Sequence, residues 1–194
     1  MNIIHRWLCR SPKWARFAEQ TLVPGLDGIA LGADVLEIGS GYGVTARPLA
    51  SRCEHLTALE IDPELASGLR DRLADLGERV TVVHGDGTRL PFPPERFSAV
   101  VCFTMLHHVP STALQDRLFA EAHRVLRPGG VFAGSDSLPS PRFRAIHLFD
   151  TCVPVAPETL PGRLASAGFT GVAVQSESRL HFRALKPAPA DLRA

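Results

Sequence analysis

The sequence predicts an α/β protein built on a mostly parallel sheet that ends in an antiparallel hairpin. Two observations predict this fold class. Short runs rich in apolar and β-branched residues alternate with longer amphipathic segments, which is the pattern of repeated strand–helix–strand units. The last two predicted strands, Thr170–Ser176 and Leu180–Leu185, are joined by too few residues for a crossover helix, so we expect them to pair antiparallel. The chain of 194 residues is long enough for one such domain.

The elements of the first half are predicted by apolar runs and by helix-capping residues. A buried strand is expected over Asp34–Gly39, followed by a glycine-rich turn and a helix that starts over Val44–Arg52. His55–Ile61 predicts the second strand. Asp62, followed by proline, is a strong N-cap, and Gly77 is a good C-cap, so the next helix is expected between them.

The second half continues the same alternation, with one interruption. A helix capped by Ser111 is expected to end at the turn Arg127–Gly130. Residues 136–157 mix serine, proline and arginine with apolar side chains and predict no regular element. The other predicted elements are strands at Arg79–His84, Phe97–Phe103 and Val131–Ser135, and a short helix over Leu160–Ala167 that Gly168 ends.

We expect three regions along the chain. The main domain is predicted over residues 25–186. Residues 1–24 are amphipathic and locally basic, and we expect them to form a helical cap over the open edge of that domain. A membrane-surface anchor is the alternative use of this segment. Residues 187–194 are expected to form a flexible tail.

Charge and composition exclude several classes of function. Lys and Arg number 21 and Asp and Glu number 20, a net charge of +1 that lacks the basic excess of nucleic-acid-binding proteins. No apolar run approaches the ~20 residues of a membrane span and no signal peptide opens the chain, so we expect a cytoplasmic protein without stable membrane insertion. The four cysteines show no C-x-x-C spacing, so neither a zinc site nor a disulfide framework is predicted. No residue is therefore assigned to a metal, and no oligomeric state is predicted.

Three glycines follow the first predicted strand on alternate positions, Gly39, Gly41 and Gly43. They allow a tight turn and let a ligand approach backbone N–H groups beside a helix N-terminus, which suits a carboxylate or a phosphate. A dinucleotide fingerprint starting at Gly39 would need its third glycine at position 44, which is valine. Glu37, just before the glycines, disfavours a pyrophosphate and favours an ammonium group.

Two more carboxylates follow the next two strands. Glu60 lies 21 residues after Gly39, where open α/β sheets bind ribose hydroxyls. Asp86 ends the third strand and can accept a hydrogen bond from an exocyclic amine such as that of adenine. Each of these residues alone can instead be a helix cap or a turn residue, and Glu37 can be a helix-dipole partner. Their occurrence at three successive strand ends indicates a ligand site.

Five segments in this order resemble the motifs of class I S-adenosylmethionine-dependent methyltransferases, over roughly residues 30–186. They are the glycine-rich Val35–Gly43, the acidic Ala58–Asp62, Gly85–Gly87 with Leu90–Phe92, Met105–Val109 and Arg124–Gly130. The resemblance implies a Rossmann-like sheet of seven strands with helices on both faces, and S-adenosylmethionine as the cofactor. The cofactor residues that it implies are Glu37, Gly39, Ser40, Gly41 and Gly43 at the methionine end, Glu60 at the ribose, Asp86 and Gly87 at the adenine, and Ile61, Thr88 and Phe103 as further contacts.

The chain departs from the family pattern at two points. Glutamate stands at positions 37 and 60, where the family more often has aspartate, and the longer side chain is compatible with the same contacts. Residues 102–105 read Cys-Phe-Thr-Met, without the Asn/Asp-Pro-Pro-Tyr/Phe segment of amino-methylating nucleic-acid enzymes. We therefore expect a small-molecule acceptor, bound by residues 1–24 and 136–157. The aromatic side chains of these segments favour a partly apolar one: Trp7, Trp14, Phe143 and Phe149.

The candidate catalytic residues are His107 and His108 after the fourth strand and Asp136 after the fifth. A neutral imidazole at this edge can deprotonate a phenol, a hydroxyl or an activated carbon of the acceptor. The alternative is that the histidines pack and bond to the backbone while Asp136 is a turn residue. Cys102 is expected to be a buried strand thiol.

Three other functions share parts of this pattern. A nicotinamide-dependent oxidoreductase is disfavoured by the glycine spacing. An aminopropyl transferase on the same fold would need further acidic residues for a polyamine. A non-catalytic S-adenosylmethionine-binding or scaffold subunit would keep the same cofactor residues without turnover, and remains the alternative to a methyltransferase.

Overall fold

The computed structural model describes residue 7, residues 9–148 and residues 150–188. Its strands are β1 Asp34–Ile38, β2 His55–Glu60, β3 Val80–His84, β4 Phe97–Phe103, β5 Leu126–Asp136, β6 Thr170–Gln175 and β7 Leu180–Leu185. In this part of the chain they form one seven-stranded sheet in the order β3-β2-β1-β4-β5-β7-β6. Strands β1 to β5 pair in parallel, and β7 is antiparallel to both β5 and β6. The predicted parallel sheet with its antiparallel C-terminal hairpin is confirmed.

The helices are α1 Pro12–Phe17, α2 Ala46–Ala50, α3 Pro63–Leu73, α4 Thr112–Val125, α5 Pro141–Ile146 and α6 Leu160–Ser166. Four of them, α1, α3, α4 and α5, begin at a residue whose side chain accepts a hydrogen bond from the helix backbone. The Asp62 carboxylate accepts hydrogen bonds from the backbone N–H groups of Glu64 and Leu65 at 2.9 and 3.1 Å. The Ser111 hydroxyl accepts one from the N–H of Leu114 at 3.2 Å. Both predicted N-caps are therefore present.

Two apolar cores cover the two faces of the sheet. On one face α4 and α6 pack against the sheet, and Phe119 and Phe132 are fully buried there. On the other face residues 18–26 pack together with α2 and α3, and Leu49 and Leu69 are fully buried. Helices therefore lie on both faces, as the sequence predicts, and the carboxyl ends of β1, β2, β4 and β5 meet at one edge between them.

The predicted start of the fifth strand at Val131 is wrong, because β5 already begins at Leu126. Leu126 pairs with Phe97 across a register shift in the sheet. The backbone of Lys186 holds the intervening turn, since its N–H donates to the Gly130 carbonyl oxygen at 2.9 Å and its own carbonyl oxygen accepts from Gly129 at 2.9 Å. The turn expected only to end the preceding helix is thus part of the sheet.

Two further boundaries differ from the prediction. The α3 helix ends at Leu73, and residues 74–79 continue as a 3₁₀ segment interrupted by Gly77, whose φ is +56°. Residues 136–157, for which no element is predicted, contain α5. Its start is a cap, because the Ser140 hydroxyl accepts a hydrogen bond from the N–H of Phe143 at 3.1 Å and Pro141 follows it.

The N-terminal segment packs on the core as a series of short turns. Ser11 caps α1, and its hydroxyl accepts from the N–H of Trp14 at 3.2 Å. The π-turn Ala18–Leu22 and the 3₁₀ turn Pro24–Leu26 follow, and their apolar side chains are buried. Residues 1–6 and 8 of the expected cap and residues 189–194 of the expected tail lie outside the described residues. Over the described ranges, no helix has the length and apolar character to cross a membrane.

Candidate active site

The glycine loop after β1 is shaped by backbone that only glycine adopts readily. Gly39, Gly41 and Gly43 have φ values of +76°, +52° and +78°. A Cβ on Gly39 would lie 2.9 Å from Met105 Cβ, and one on Gly43 would collide with the Leu69 side chain. A Cβ on Gly41 would meet nothing within 4 Å. Two of the glycines are thus required for packing, and the middle one leaves the loop open to a ligand.

Glu37 carries a buried carboxylate at the end of β1, with 1% of its surface exposed. The Thr45 hydroxyl donates a hydrogen bond to its Oε1 atom. Its buried Oε2 atom has no hydrogen-bond partner among the described residues. Burial raises the pKa of Glu37 to about 7, against the opposing effects of the Thr45 and Ser40 hydroxyls, and the neighbouring Glu60 carboxylate adds to the rise. A cationic donor beside Oε2 would satisfy this oxygen and favour the charged carboxylate.

Glu60 connects the glycine loop to the end of β2. Its Oε2 atom accepts a hydrogen bond from the N–H of Gly41 at 2.8 Å, and its Oε1 atom accepts from Asp62 at 3.0 Å. Each carboxylate oxygen has further lone pairs, so both can also accept from ribose hydroxyls. Ile61, the next residue, is 62% exposed, so its apolar side chain is accessible to a flat ring.

The loop after β3 lies against the end of β1. The Asp86 Oδ1 atom accepts hydrogen bonds from the N–H and the hydroxyl of Thr88 at 2.8 and 2.9 Å, which closes a turn. A Cβ on Gly87 would lie 2.8 Å from Ile38 Cγ2, so glycine is required for this close approach. Phe103, unlike Gly87 and Thr88, does not lie in this loop. Its ring is 6% exposed and belongs to the apolar core that also contains residues 18–26.

A second cluster forms where β4 and β5 end. Thr104 has φ +50°, a strained value for a non-glycine residue, and its N–H donates to the Ser135 carbonyl oxygen at 2.8 Å. The turn leads into a 3₁₀ segment that holds His107, whose N–H donates to Asp136 Oδ2 at 3.0 Å and whose Nδ1 lies 2.5 Å from Asp136 Oδ1. Ser137 N–H donates to the same Oδ1 at 2.6 Å. The structure thus pairs two of the three candidate catalytic residues, and both are buried.

His147 belongs to this cluster, although no pattern in the sequence pointed to it. It follows α5, and its Nε2 atom lies 3.1 Å from His107 Nε2. Its Nδ1 lies 2.7 Å from the Phe143 carbonyl oxygen, and the ring of Phe143 packs edge-on against His107. His108 is half-buried, and its Nδ1 lies 3.3 Å from the Thr151 carbonyl oxygen. Only the cap formed by Ser140 and Pro141 could have indicated the helix that positions His147.

The thiols take no part in these clusters. Cys102 lies within β4, is fully buried, and burial raises its pKa well above the usual value, as expected for a structural thiol. All four cysteines are free thiols in the described part of the chain.

The chain is similar to several known methyltransferases. Residues 35–130 match the family described as a methyltransferase domain. The chain is 30% identical over 150 residues to sterol methyltransferase-like 1 of Botryococcus braunii, covering 73% of this chain and 38% of that protein. It is 32% identical over 157 residues to ribosomal RNA small subunit methyltransferase A of Bordetella pertussis, covering 69% and 55%. A solved S-adenosylmethionine-dependent methyltransferase from Aquifex aeolicus shares the fold, with a TM-score of 0.73 and 16% identity over 96% of this chain and 99% of that one.

The seven-stranded sheet, with its two polar clusters at one edge, has the Rossmann-like fold of the solved methyltransferase. The chain belongs to the class I S-adenosylmethionine-dependent methyltransferases. The predicted enzyme class and cofactor are thereby confirmed at the level of the family. The chain spans 38% of the sterol methyltransferase-like relative and 55% of the ribosomal RNA methyltransferase.

The residues present fit S-adenosylmethionine. The unpartnered Oε2 atom of Glu37 suits the ammonium group of its methionine part, and the open face of Gly41 leaves room beside it. The Glu60 carboxylate suits the ribose hydroxyls, and the exposed Ile61 suits the adenine ring. These features lie at consecutive positions along one sheet edge, which matches the extended shape of the cofactor.

Proposed function

We propose that this protein transfers a methyl group from S-adenosylmethionine to a small-molecule acceptor. The observation that carries the proposal is the buried carboxylate of Glu37, which lies beside an open glycine loop with one oxygen unpartnered among the described residues. A buried unpaired carboxylate oxygen is costly, and the cost is offset when an ammonium group binds there.

Each group of residues at this edge contacts a different part of the cofactor in this proposal. Glu37 holds the ammonium group, and the loop from Gly39 through Ser40 and Gly41 to Gly43 surrounds the methionine part. Glu60 accepts from the ribose hydroxyls. The adenine lies between Ile61 and the loop of Asp86, Gly87 and Thr88, while Phe103 supports the edge from below. When bound, the cofactor supplies a methyl group activated by a sulfonium.

The acceptor side is formed by His107, His108 and Asp136. The Asp136 carboxylate accepts from two backbone N–H groups and from His107 Nδ1, so it fixes the orientation of that imidazole. The loop that carries His107 touches the glycine loop, because Gly39 lies against Met105. The two clusters are therefore adjacent, and alignment of two reactants in such a site is worth up to ~7–11 kcal/mol. We propose that these residues orient the acceptor and activate its nucleophilic atom.

The charge of the chain favours a small acceptor over a nucleic acid. The net charge of +1 leaves no excess to neutralise a phosphate backbone. An aromatic ring lines the acceptor cluster, since Phe143 packs edge-on against His107, and this favours a partly apolar acceptor. The named relatives include both a sterol methyltransferase-like protein and a ribosomal RNA methyltransferase, so a small-molecule acceptor is proposed from the charge and the site of this chain. The four free thiols support a reducing, cytoplasmic setting.

A methyl-transfer screen tests the proposal. The full chain is incubated with S-adenosylmethionine labelled in its methyl group and with a panel of phenols, hydroxy acids, sterols and amines, beside ribosomal RNA as a separate arm. Label transferred to a small molecule supports the proposal, and transfer to RNA alone overturns the acceptor class. Tight cofactor binding without transfer in either arm would support the scaffold alternative, which the buried His107–Asp136 pair disfavours.

A further inference from the structure

The three histidines of the second cluster share one hydrogen-bonding arrangement. In each, Nδ1 lies near an oxygen that can only accept: Asp136 for His107 at 2.5 Å, the Phe143 carbonyl for His147 at 2.7 Å, and the Thr151 carbonyl for His108 at 3.3 Å. The Asp136 carboxylate also accepts from two backbone N–H groups, which keeps it in the acceptor role. Each Nδ1 therefore carries the hydrogen, and in the neutral imidazole each Nε2 keeps its lone pair.

Two of these lone pairs face each other in a buried place. The Nε2 atoms of His107 and His147 are 3.1 Å apart, and the two residues are 2% and 7% exposed. Two neutral imidazoles in this arrangement repel, because each presents an acceptor to the other. A positive charge beside both atoms removes the repulsion, and the charge is either one shared proton or a metal cation.

The surroundings favour a metal cation. Imidazoles that bind metals almost always donate their other N–H to a carboxylate or a backbone carbonyl, and all three do so here. Two nitrogen ligands about 2.05 Å from a metal and 3.1 Å apart subtend roughly 100°, close to the tetrahedral angle. One ring nitrogen from each of His107, His108 and His147 lies within 4.8 Å of the others, so His108 has to rotate closer to complete a tetrahedral set.

We propose that His107, His108 and His147 bind a divalent transition-metal cation of the zinc, cobalt or nickel class. Three neutral imidazoles suit such cations, and the buried Asp136 carboxylate partly balances their charge. Three protein ligands leave a fourth position open, as in catalytic rather than structural sites. The sequence predicts no metal site, because its cysteines lack metal-ligand spacing and because His147 lies 40 positions from His107.

The role of this cation in catalysis rests on the proposed function, whereas its binding does not. A cation held by these histidines would make an acceptor hydroxyl at the open position more acidic, so that its proton would pass to water. The oxygen would then bond to the methyl carbon as the carbon–sulfur bond breaks and the electron pair passes to sulfur. The lone pair of His107 is used for the cation in this account, so activation by coordination replaces activation by an imidazole base.

Cobalt binding to the full chain tests the site. The protein is stripped with a chelator, dialysed, and titrated with Co²⁺ while visible absorption and metal content are measured. We expect about one Co²⁺ per chain with the intense visible bands of a four- or five-coordinate ion. His147→Gln should weaken binding by more than ~100-fold, and Asp136→Asn, which alters only the support of a ligand, by ~10–100-fold.

The matched control is His55→Gln. His55 begins β2 at the opposite end of the strand from the site, and its side chain is 61% exposed. The His55→Gln variant should bind Co²⁺ as tightly as the unaltered protein does. Circular dichroism of each variant shows whether it is folded, and His108→Gln at a half-buried position serves if His147→Gln is not. The proposal is overturned if the folded protein does not bind Co²⁺, since the two imidazoles would then share only a proton. It is also overturned if all the variants bind Co²⁺ equally.

Calorimetry with S-adenosylmethionine on the same samples separates the two proposals. Cofactor binding without Co²⁺ binding overturns the metal site and leaves the proposed function intact. Co²⁺ binding without cofactor binding overturns the proposed function and leaves the metal site.

Discussion

The Nε2 atoms of His107 and His147 lie 3.1 Å apart although 40 positions separate the residues in the sequence. His107 is positioned by the end of β4 and by Asp136 at the end of β5, while His147 is positioned by α5 and the Phe143 carbonyl. The proposed acceptor side of the site is thus assembled from the parallel sheet and from a short helix that the sequence did not predict. The proposed cofactor side, in contrast, comes from the strand ends and the loops that follow them.

Glu37→Gln should weaken the binding of S-adenosylmethionine by roughly 10- to 100-fold. The substitution keeps the shape and removes the charge that pairs with the ammonium group, and a hydrogen bond to a charged group is worth ~1.5–3 kcal/mol. Isothermal titration calorimetry at pH 8 measures the change. The matched control is Glu54→Gln, at an exposed position before β2, which should leave affinity unchanged. Equal affinities for the Glu37→Gln and unaltered proteins would contradict the assignment.

The ligand-free protein should lose stability as pH rises through about 7. Burial raises the pKa of Glu37 from 4.5 to about 7, so folding favours its protonated form. The stability that this group contributes is fully present below pH 4.5 and is lost as the pH passes the folded-state pKa, a loss on the order of 3 kcal/mol. Urea unfolding between pH 5 and pH 8 measures it, and Glu37→Gln should lack this part of the pH dependence. An identical dependence in both proteins would rule out Glu37 as its source.

Cofactor binding should show the opposite dependence on pH. The ammonium group pairs with the charged form of Glu37, so affinity should rise as pH increases through about 7. Below that pH, binding should release a proton. Calorimetry at pH 6 in two buffers of different ionisation enthalpy detects the proton, and Glu37→Gln is the control without it. No buffer dependence in the unaltered protein would be the contrary result.

Gly41→Ala and Gly43→Ala should separate cofactor binding from packing. Both positions have φ in the left-handed region, so alanine costs ~1 kcal/mol at each. At Gly43 the new methyl group also collides with Leu69, so this variant should lose much more thermal stability. At Gly41 the methyl group enters open space where the cofactor is proposed to lie. Gly41→Ala should therefore lower cofactor affinity more than Gly43→Ala does, and lower the melting temperature less. Melting temperature and cofactor affinity are measured for both, and a reversed order would show that the open face of Gly41 is not part of the binding site.

His107→Gln should lower methyl transfer by ~10²–10⁴-fold while changing cofactor affinity less than threefold. The residue lies on the acceptor side of the contact between Gly39 and Met105, so its loss removes activation of the acceptor and leaves the cofactor site. Single-turnover transfer to the acceptor found by screening gives the rate, with His55→Gln as the control. An unchanged rate would assign His107 to packing alone.

The backbone features of the proposed cofactor side could be predicted from the sequence because local signals encode them. The alternate glycines, the carboxylates at the ends of β1 to β3 and the Asp62 cap depend on backbone conformation at strand ends and helix starts. The early start of β5 could not be predicted, since it depends on the long-range contacts of Leu126 and Lys186. His147 was missed for the same reason, because a six-residue helix gives no periodic pattern and the pairing with His107 exists only in three dimensions.

Titration of the full chain with S-adenosylmethionine, followed by thermal unfolding, tests the central claim most directly. We expect one binding site, competition by S-adenosylhomocysteine, and a gain of ~2.7 kcal/mol in unfolding free energy at a cofactor concentration 100 times the dissociation constant. Glu37→Gln, with its 10- to 100-fold weaker binding, should lose about 1.3–2.3 kcal/mol of this gain at equal concentration. No heat and no change in melting temperature at millimolar cofactor, in protein shown to be folded, would contradict the account.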